Sequence, residues 1–303
     1  MRQRGRMIPT VRRICMSHDK IAAKKTMPRL DTEITMSDRI PMTLHRLQHM
    51  RAAGDKIAML TCYDASFSRL LDEAGVDVLL VGDSLGMVIQ GNKSTLPVSM
   101  ADMVYHTRCV AAGNCNAWVI ADMPFGSYQE SSSQALHNAT LLMQAGAHMV
   151  KVEGGGWTTP MVRLMSERGI PVCAHLGFTP QSVHALGGYR IQGREEAAAA
   201  ILQAHAEELA AAGAQMLVLE LVPTVVASAL TSKLSIPVIG IGAGPGCSGQ
   251  VLVLHDMLNV TKGKLPRFVR NFMGGGHSVQ DAVKLFVHDV KSGAFPDDSL
   301  HGY

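Results

Sequence analysis

The stretch IAMLTCYDASFSRLLDEAGVDVLLVGDS, residues 57–84, contains a complete strand, helix and second strand. Its first apolar run, Ile57 to Cys62, lacks polar alternation and reads as a strand covered on both faces. Ala65 to Ala74 follows with helical periodicity and stops at Gly75, a residue that can take the left-handed conformation closing a helix. The second run, Val78 to Gly82, delivers Asp83 and Ser84 to its carboxyl end. Strand, helix and strand in this order make a parallel βαβ unit.

The theme recurs along the chain. Further apolar runs are Trp118 to Ala121, Met149 to Val152, Pro171 to His175, Met216 to Leu219, Val238 to Ile241 and Val251 to Leu254. Helical segments span Met100 to Ala112, Ser132 to Ala145, Thr159 to Arg168, Arg194 to Ala212 and Thr224 to Leu234, and Gly113, Gly146, Gly169 and Gly213 follow helices as Gly75 does. Eight strands alternating with helices favour closure into an α/β (β/α)8 barrel over an open sheet, and 303 residues suffice for such a barrel, which commonly takes ~250. Met257 to His277 reads as an irregular loop, and Ser278 to Lys291 as a last helix covering the outside. Residues 39–303 are expected to form this one domain.

The net charge of +3 is unevenly placed: residues 1–38 hold nine Lys and Arg against four Asp and Glu, leaving 19 against 21 in the rest. A nucleic-acid binder carries its positive charge on the folded domain, so nucleic acid is not an expected partner. No stretch approaches the ~18 apolar residues of a membrane span. Six scattered Cys, without a C-x-x-C pair, suit a reducing compartment, and a cytoplasmic location is expected. The first 38 residues are Arg-rich at their start and read as a disordered extension or an over-long start; an organellar transit peptide is the alternative, although such peptides are usually Ser-rich.

In parallel α/β folds the carboxyl ends of the strands build the active site. Here they read VLLVGDS (Asp83, Ser84), WVIADMPF (Asp122), MVKVEGG (Lys151, Glu153), VCAHLG (His175) and MLVLELVP (Glu220). Asp83, Asp122 and Glu153, from three strands, could converge on one hard cation; Mg2+ fits oxygen ligands best, whereas zinc would recruit closely spaced Cys or His. An Asp after a strand ordinarily caps the next helix, so convergence is the point to test. Lys151 and Glu153, two apart, would point the same way and could pair. Lys151 could neutralise substrate charge, only balance Glu153, or act as a Schiff-base nucleophile. Glu220 lies in an apolar frame that would raise its pKa and suit a general base. His175 could bond a substrate carbonyl or be structural. The glycines Gly244, Gly246 and Gly249 formally match G-x-G-x-x-G, but late in the chain and before a strand; a tight barrel loop, one that could line the pocket, is favoured over nucleotide binding.

With these residues the chain closely resembles the ketopantoate hydroxymethyltransferase family, in ordered blocks from about Thr61 to Phe272 that include STLPVSMADMVYHTRCV, ADMPFGSY, AHLGFTPQSV, GGYRIQGR, VLELVP and PVIGIGAG. The resemblance implies a barrel of the phosphoenolpyruvate/pyruvate type, Mg2+ dependence and a homo-oligomer, often a decamer. It further implies transfer of a hydroxymethyl group from 5,10-methylenetetrahydrofolate to 3-methyl-2-oxobutanoate, the first step of pantothenate synthesis. By motif, Asp83 and Asp122 match metal ligands and Glu153 the same metal site. Ser84 and Lys151 match substrate-binding positions, and Glu220 the proton acceptor. Ser248 and Asn259 depart from the family's usual Asp and Gly, which puts loop geometry and folate affinity in question. The rivals are a C–C or P–C lyase on the same barrel, whose Cys-Gly-His loop is missing here, and an inactive ligand-binding barrel.

Overall fold

Eight parallel strands close into a barrel in simple sequence order in the computed structural model of this chain, which describes residues 39–274 and 278–303. The extension expected over residues 1–38 lies outside the described residues. The strands are β1 (Ile57–Thr61), β2 (Val78–Val81), β3 (Trp118–Asp122), β4 (Met149–Glu153), β5 (Val172–Gly177), β6 (Met216–Glu220), β7 (Val238–Ile241) and β8 (Gly249–Leu252). The helices are α1 (Leu44–Ala53), α2 (Ala65–Glu73), α3 (Leu85–Val88), α4 (Met100–Gly113), α5 (Ser132–Ala145), α6 (Thr159–Glu167), α7 (Glu196–Ala211), α8 (Thr224–Lys233), α9 (Leu254–Met257), α10 (Val279–Ser292) and α11 (Asp298–His301). Every residue of β1, β2 and β4 is buried, as their unbroken apolar runs require when side chains fill the barrel on one face and meet helices on the other. None of the described helices is long and apolar enough to cross a membrane.

Three local features differ from the expected pattern. Strand β8 starts at Gly249, two residues earlier than its apolar run, because Gly249 and Gln250 pair with both β1 and β7. A Cβ on Gly249 would overlap the Ile57 carbonyl, so the strand depends on a bare backbone there. Gly113 does not close α4 in a left-handed turn; Asn114 follows it in extended conformation, and a Cβ on Gly113 would overlap the backbone of Ala65. That glycine serves the close packing of α4 on α2. Helix α1 had no strong pattern, yet it seals the amino-terminal end of the barrel: Leu47 is fully buried, Met42 N–H donates to the Asn116 carbonyl, and Arg51 donates to Thr231 and Leu234 carbonyls at the end of α8.

No helix lies between β7 and β8. The glycine run that joins them packs on α8 instead: Cβ atoms on Gly244 and Gly246 would overlap Thr224 and Ser228, and Lys56 donates to the carbonyls of Pro245 and Cys247. This loop is tight, but it does not line the pocket, which it approaches only through Ile241 before it. Ser248 sits at the amino-terminal end of β8, where its hydroxyl accepts from Val238 N–H and its carbonyl from Ile57 N–H. Its departure from the family pattern therefore falls where the barrel closes. Asn259 adopts φ 57°, a left-handed conformation that glycine takes freely and Asn tolerates better than most residues.

Asp77 ties this end of the barrel together. It accepts Ala58 N–H at 2.9 Å and the Lys291 ammonium of α10 at 2.7 Å, with Arg39 3.7 Å away. Asp77→Ala would orphan a buried N–H, and is expected to destabilise the protein by about 2–3 kcal/mol. Asp77→Asn keeps an acceptor and should cost less than half as much. Urea midpoints of the two variants check the order; equal midpoints would refute it.

Candidate active site

The carboxyl ends of β2 to β6 bring Asp83, Asp122, Lys151, Glu153, His175 and Glu220 to the floor of one cavity of about 1360 Å3. Strand register explains the grouping: Asp122 is level with Lys151, Glu153 with His175, and Glu220 with Gly177. Lys151 and Glu153, two apart on β4, face the interior together, as their spacing predicts. All the expected site residues thus meet, and Ser84, half-buried beside them, shares a 2.9 Å hydrogen bond with the Tyr63 hydroxyl.

Lys151 is the hub. Its Nζ lies 3.1 Å from Asp122 Oδ1, 3.6 Å from Glu153 Oε1 and 3.2 Å from His175 Nδ1. Burial opposes its charge, but Asp122, Glu153 and Asp83 outweigh that and hold its pKa above the usual lysine value. Beside these carboxylates the ammonium is favoured over the free amine that a Schiff-base nucleophile needs. It is a fixed cation.

One ammonium cannot neutralise three carboxylates. Burial, then the charges of Asp122 and Glu153, push the Asp83 carboxyl well above its ordinary range. Burial also raises Asp122, despite Lys151 and the 3.0 Å hydrogen bond from Asp83 N–H to its Oδ2. For Glu153 burial is overcome by Lys151 and His175, and its pKa falls. Asp122 Oδ1 and Glu153 Oε1 are buried without an aligned hydrogen bond. Three buried carboxylates that share one ammonium are what a hard cation would complement. Among the described residues no three Cys, His, Asp or Glu form a ready-made metal cluster.

His175 bridges the two halves of the floor, with Nδ1 3.4 Å from Glu153 Oε1 and Nε2 3.4 Å from Glu220 Oε2. Lys151 can only donate, so its contact with Nδ1 needs that nitrogen bare and places the ring proton on Nε2, toward Glu220. Burial and Lys151 push the imidazole down; Glu153 and Glu220 more than offset them and hold it at about 8, so a second proton, directed at Glu153, is within reach. Glu220 itself is raised by burial, against the opposing effect of His175.

Gln181 was not foreseen as a site residue. Its Nε2 donates to Asp83 Oδ2 and to the Met123 carbonyl, both at 2.9 Å, and its backbone N–H donates to Glu153 Oε2 at 3.0 Å. The Tyr128 hydroxyl donates to Gln181 Oε1 at 2.6 Å while accepting Glu153 N–H at 3.1 Å. This amide therefore fixes two of the three carboxylates. The only sequence signal was its place in AHLGFTPQSV, just after a strand.

The family profile for ketopantoate hydroxymethyltransferase matches residues 41–298. The chain belongs to that family. It is 62% identical over 270 residues to 3-methyl-2-oxobutanoate hydroxymethyltransferase 2 of Methylibium petroleiphilum, covering 89% of this chain and 97% of the relative. It is 59% identical to 3-methyl-2-oxobutanoate hydroxymethyltransferase of Leptothrix cholodnii, with 88% and 94% covered. Membership makes it an enzyme, a transferase. Among solved structures, 2,3-dimethylmalate lyase, described as a member of the PEP mutase/isocitrate lyase superfamily, superposes with TM-score 0.52 at 18% identity over 73% of this chain and 84% of its own. Phosphoenolpyruvate phosphomutase of Streptomyces platensis gives 0.54 at 15% over 72% and 83%. These likenesses show the fold alone, a closed (β/α)8 barrel.

Removing the hub should expose the charge imbalance. Lys151→Met is expected to cost about 3–5 kcal/mol at pH 7.5, because it leaves buried carboxylates unpaired. Asp83 and Asp122 have folded-state pKa values above their unfolded ones, so the penalty on their ionised forms is present at high pH and fades as pH falls through those values. Urea titrations at pH 7.5 and 5.5 should show the gap to wild type shrinking in acid; a gap that widens would contradict the assignment.

Proposed function

We propose that the enzyme transfers a hydroxymethyl group from 5,10-methylenetetrahydrofolate to 3-methyl-2-oxobutanoate through an enolate, giving 2-dehydropantoate and tetrahydrofolate, the first step of pantothenate synthesis. The observation that carries this is Glu220: a buried carboxylate of raised pKa on the same cavity floor as the Asp83–Asp122 pair, with His175 between it and the Lys151 cluster. The relatives' names supply the keto acid and the one-carbon product class.

Asp83 and Asp122 are the residues that would hold Mg2+, with Glu153 at the same centre through its contacts to Lys151 and to the Gln181 that fixes Asp83. When bound, the cation supplies Lewis acidity that makes a keto acid's C3 proton removable. Glu220 takes that proton; its raised pKa brings it nearer the basicity the task needs than an exposed glutamate. Lys151, held as a cation, offsets the negative charge that develops on the substrate oxygens. Ser84, oriented by Tyr63, and His175 line the floor where substrate oxygens would bind. The floor itself is nearly dry: Asp83, Asp122, Lys151, Glu153 and His175 are each 2–3% exposed, which strengthens every charge interaction there. The homo-oligomer, a decamer, that the resemblance implies is part of the same proposal.

Deuterium exchange at C3 of 3-methyl-2-oxobutanoate, followed by NMR with Mg2+ and with chelator, tests the enolising half alone. Metal-dependent exchange is expected, and Glu220→Gln should slow it about 10²–10⁴-fold while keto-acid binding persists. Because the base must be ionised, the wild-type rate should rise with pH through the Glu220 pKa, with its midpoint above the ~4.3 of a free glutamate. Undiminished exchange in Glu220→Gln would remove Glu220 as the base.

A further inference from the structure

Two consecutive side chains at the end of β6 face the cavity. Val218 and Glu220 line it and Leu217 and Leu219 do not, as strand alternation requires, so Leu221 should turn outward to the helices; it lines the cavity instead. The backbone causes this. Leu221 has φ 50°, a left-handed conformation that is a steric outlier for a bulky side chain, and among the described residues Asn259 is the one other non-glycine with positive φ. The adjoining strands bend with glycine: Gly177, level with Glu220, has φ 89°, and Gly242, just after β7, has φ 61°. Hydrogen bonds hold the leucine in place. Its N–H donates to the Ile241 carbonyl at 3.0 Å, its carbonyl accepts Gln192 N–H at 2.8 Å, and Val222 N–H donates to the Gly242 carbonyl at 3.2 Å. Strain of this kind persists where the surroundings over-determine it, and a glycine would relieve it. What glycine would not supply is the side chain, which is buried over Gly242 beside Phe268 and Tyr303.

The floor has two sides. The ends of β2 to β5 bring charged and polar groups, Asp83, Asp122, Lys151, Glu153 and His175, whereas the ends of β6 to β8 bring Val218, Leu221, Ile241 and Val251 around the carboxylate of Glu220. A 2-keto acid is divided in the same way, with its oxygens at one end and an alkyl group at the other. A base must come within about 2.6–3.2 Å of the group whose proton it takes, so Glu220 and C3 are neighbours in the reactive pose. C3 of 3-methyl-2-oxobutanoate also carries two methyl groups, which then lie against the side chains that flank Glu220. We infer that Leu221 is a specificity-determining residue: its left-handed backbone turns it onto the C3 methyl groups, where it sets the size of the branch the enzyme accepts. The assignment rests on Glu220 acting as the base in the enolisation proposed above.

The test compares C3 deuterium exchange by the full-length enzyme, with Mg2+ and without folate, for three keto acids that differ only in the groups on C3. These are 2-oxobutanoate with one methyl group, 3-methyl-2-oxobutanoate with two, and 3-methyl-2-oxopentanoate with a methyl and an ethyl. One methylene in an apolar pocket is worth about 10–200-fold, so wild type should favour 3-methyl-2-oxobutanoate over 3-methyl-2-oxopentanoate by about tenfold or more in kcat/KM. Leu221→Ala gives the ethyl group room and should lower that ratio about tenfold, whereas Leu221→Met, of similar volume, should keep it. Leu221→Asn retains the branched outline and tolerates the left-handed backbone, which covers the case in which Leu221→Ala fails to fold. Its amide should disfavour 3-methyl-2-oxobutanoate relative to 2-oxobutanoate several-fold. A merely structural role would slow all three keto acids by one common factor; that result, or a wild-type ratio near one, would overturn the specificity role. Wild type that exchanges none of the three defeats the enolising function itself. Wild-type exchange with ratios unchanged in both Leu221→Ala and Leu221→Asn defeats the Leu221 assignment alone.

Discussion

Three carboxylates, those of Asp83, Asp122 and Glu153, are buried around the ammonium of Lys151, and the remaining structure of the site follows from that imbalance. Burying a charge is costly unless it is paired, and here pairing is incomplete. The barrel tolerates this because parallel strands hold the groups in register whether or not they attract one another. Backbone and amide donors then do what they can: Asp83 N–H reaches Asp122, Gln181 N–H reaches Glu153, and the Gln181 side chain reaches Asp83. What they leave over is a focused negative field at one end of the barrel, suited to a divalent cation and to a substrate bound through it.

The same imbalance separates two carboxylates of one residue type into different roles. Glu153 touches Lys151 and His175 and is driven toward the ionised form; Glu220 touches only His175 of that pair and keeps a raised pKa. One is fixed as a charge and the other is free to trade a proton, an assignment that environment makes and residue type cannot.

The strands were legible because a parallel sheet buried on both faces leaves continuous apolar runs, and the site carboxylates were legible because each ends such a run. Gln181 and Tyr128 were not: neither type carries a pattern, and the Gln181 contact to Asp83 spans 98 residues, so it exists only once the barrel closes. Glycines were read with mixed success for a related reason. Gly146, Gly169 and Gly213 do take positive φ, but Gly113 and Gly249 are required by a neighbouring backbone that the local sequence does not reveal. Helix α1 escaped notice because its burial rests largely on one residue, Leu47, and on backbone and arginine contacts to distant loops.

The two ends of the barrel therefore face different demands. At the amino-terminal end Asp77, Lys56, Arg51 and Ser248 satisfy backbone groups and counter-charges locally, so polar residues there are closed into structure. At the carboxyl end the floor gathers more buried carboxylates than cations. Lys151 and His175 offset only part of that excess. A bound cation would complement the remainder, so the charge pattern of the floor suits an occupant that brings positive charge to it.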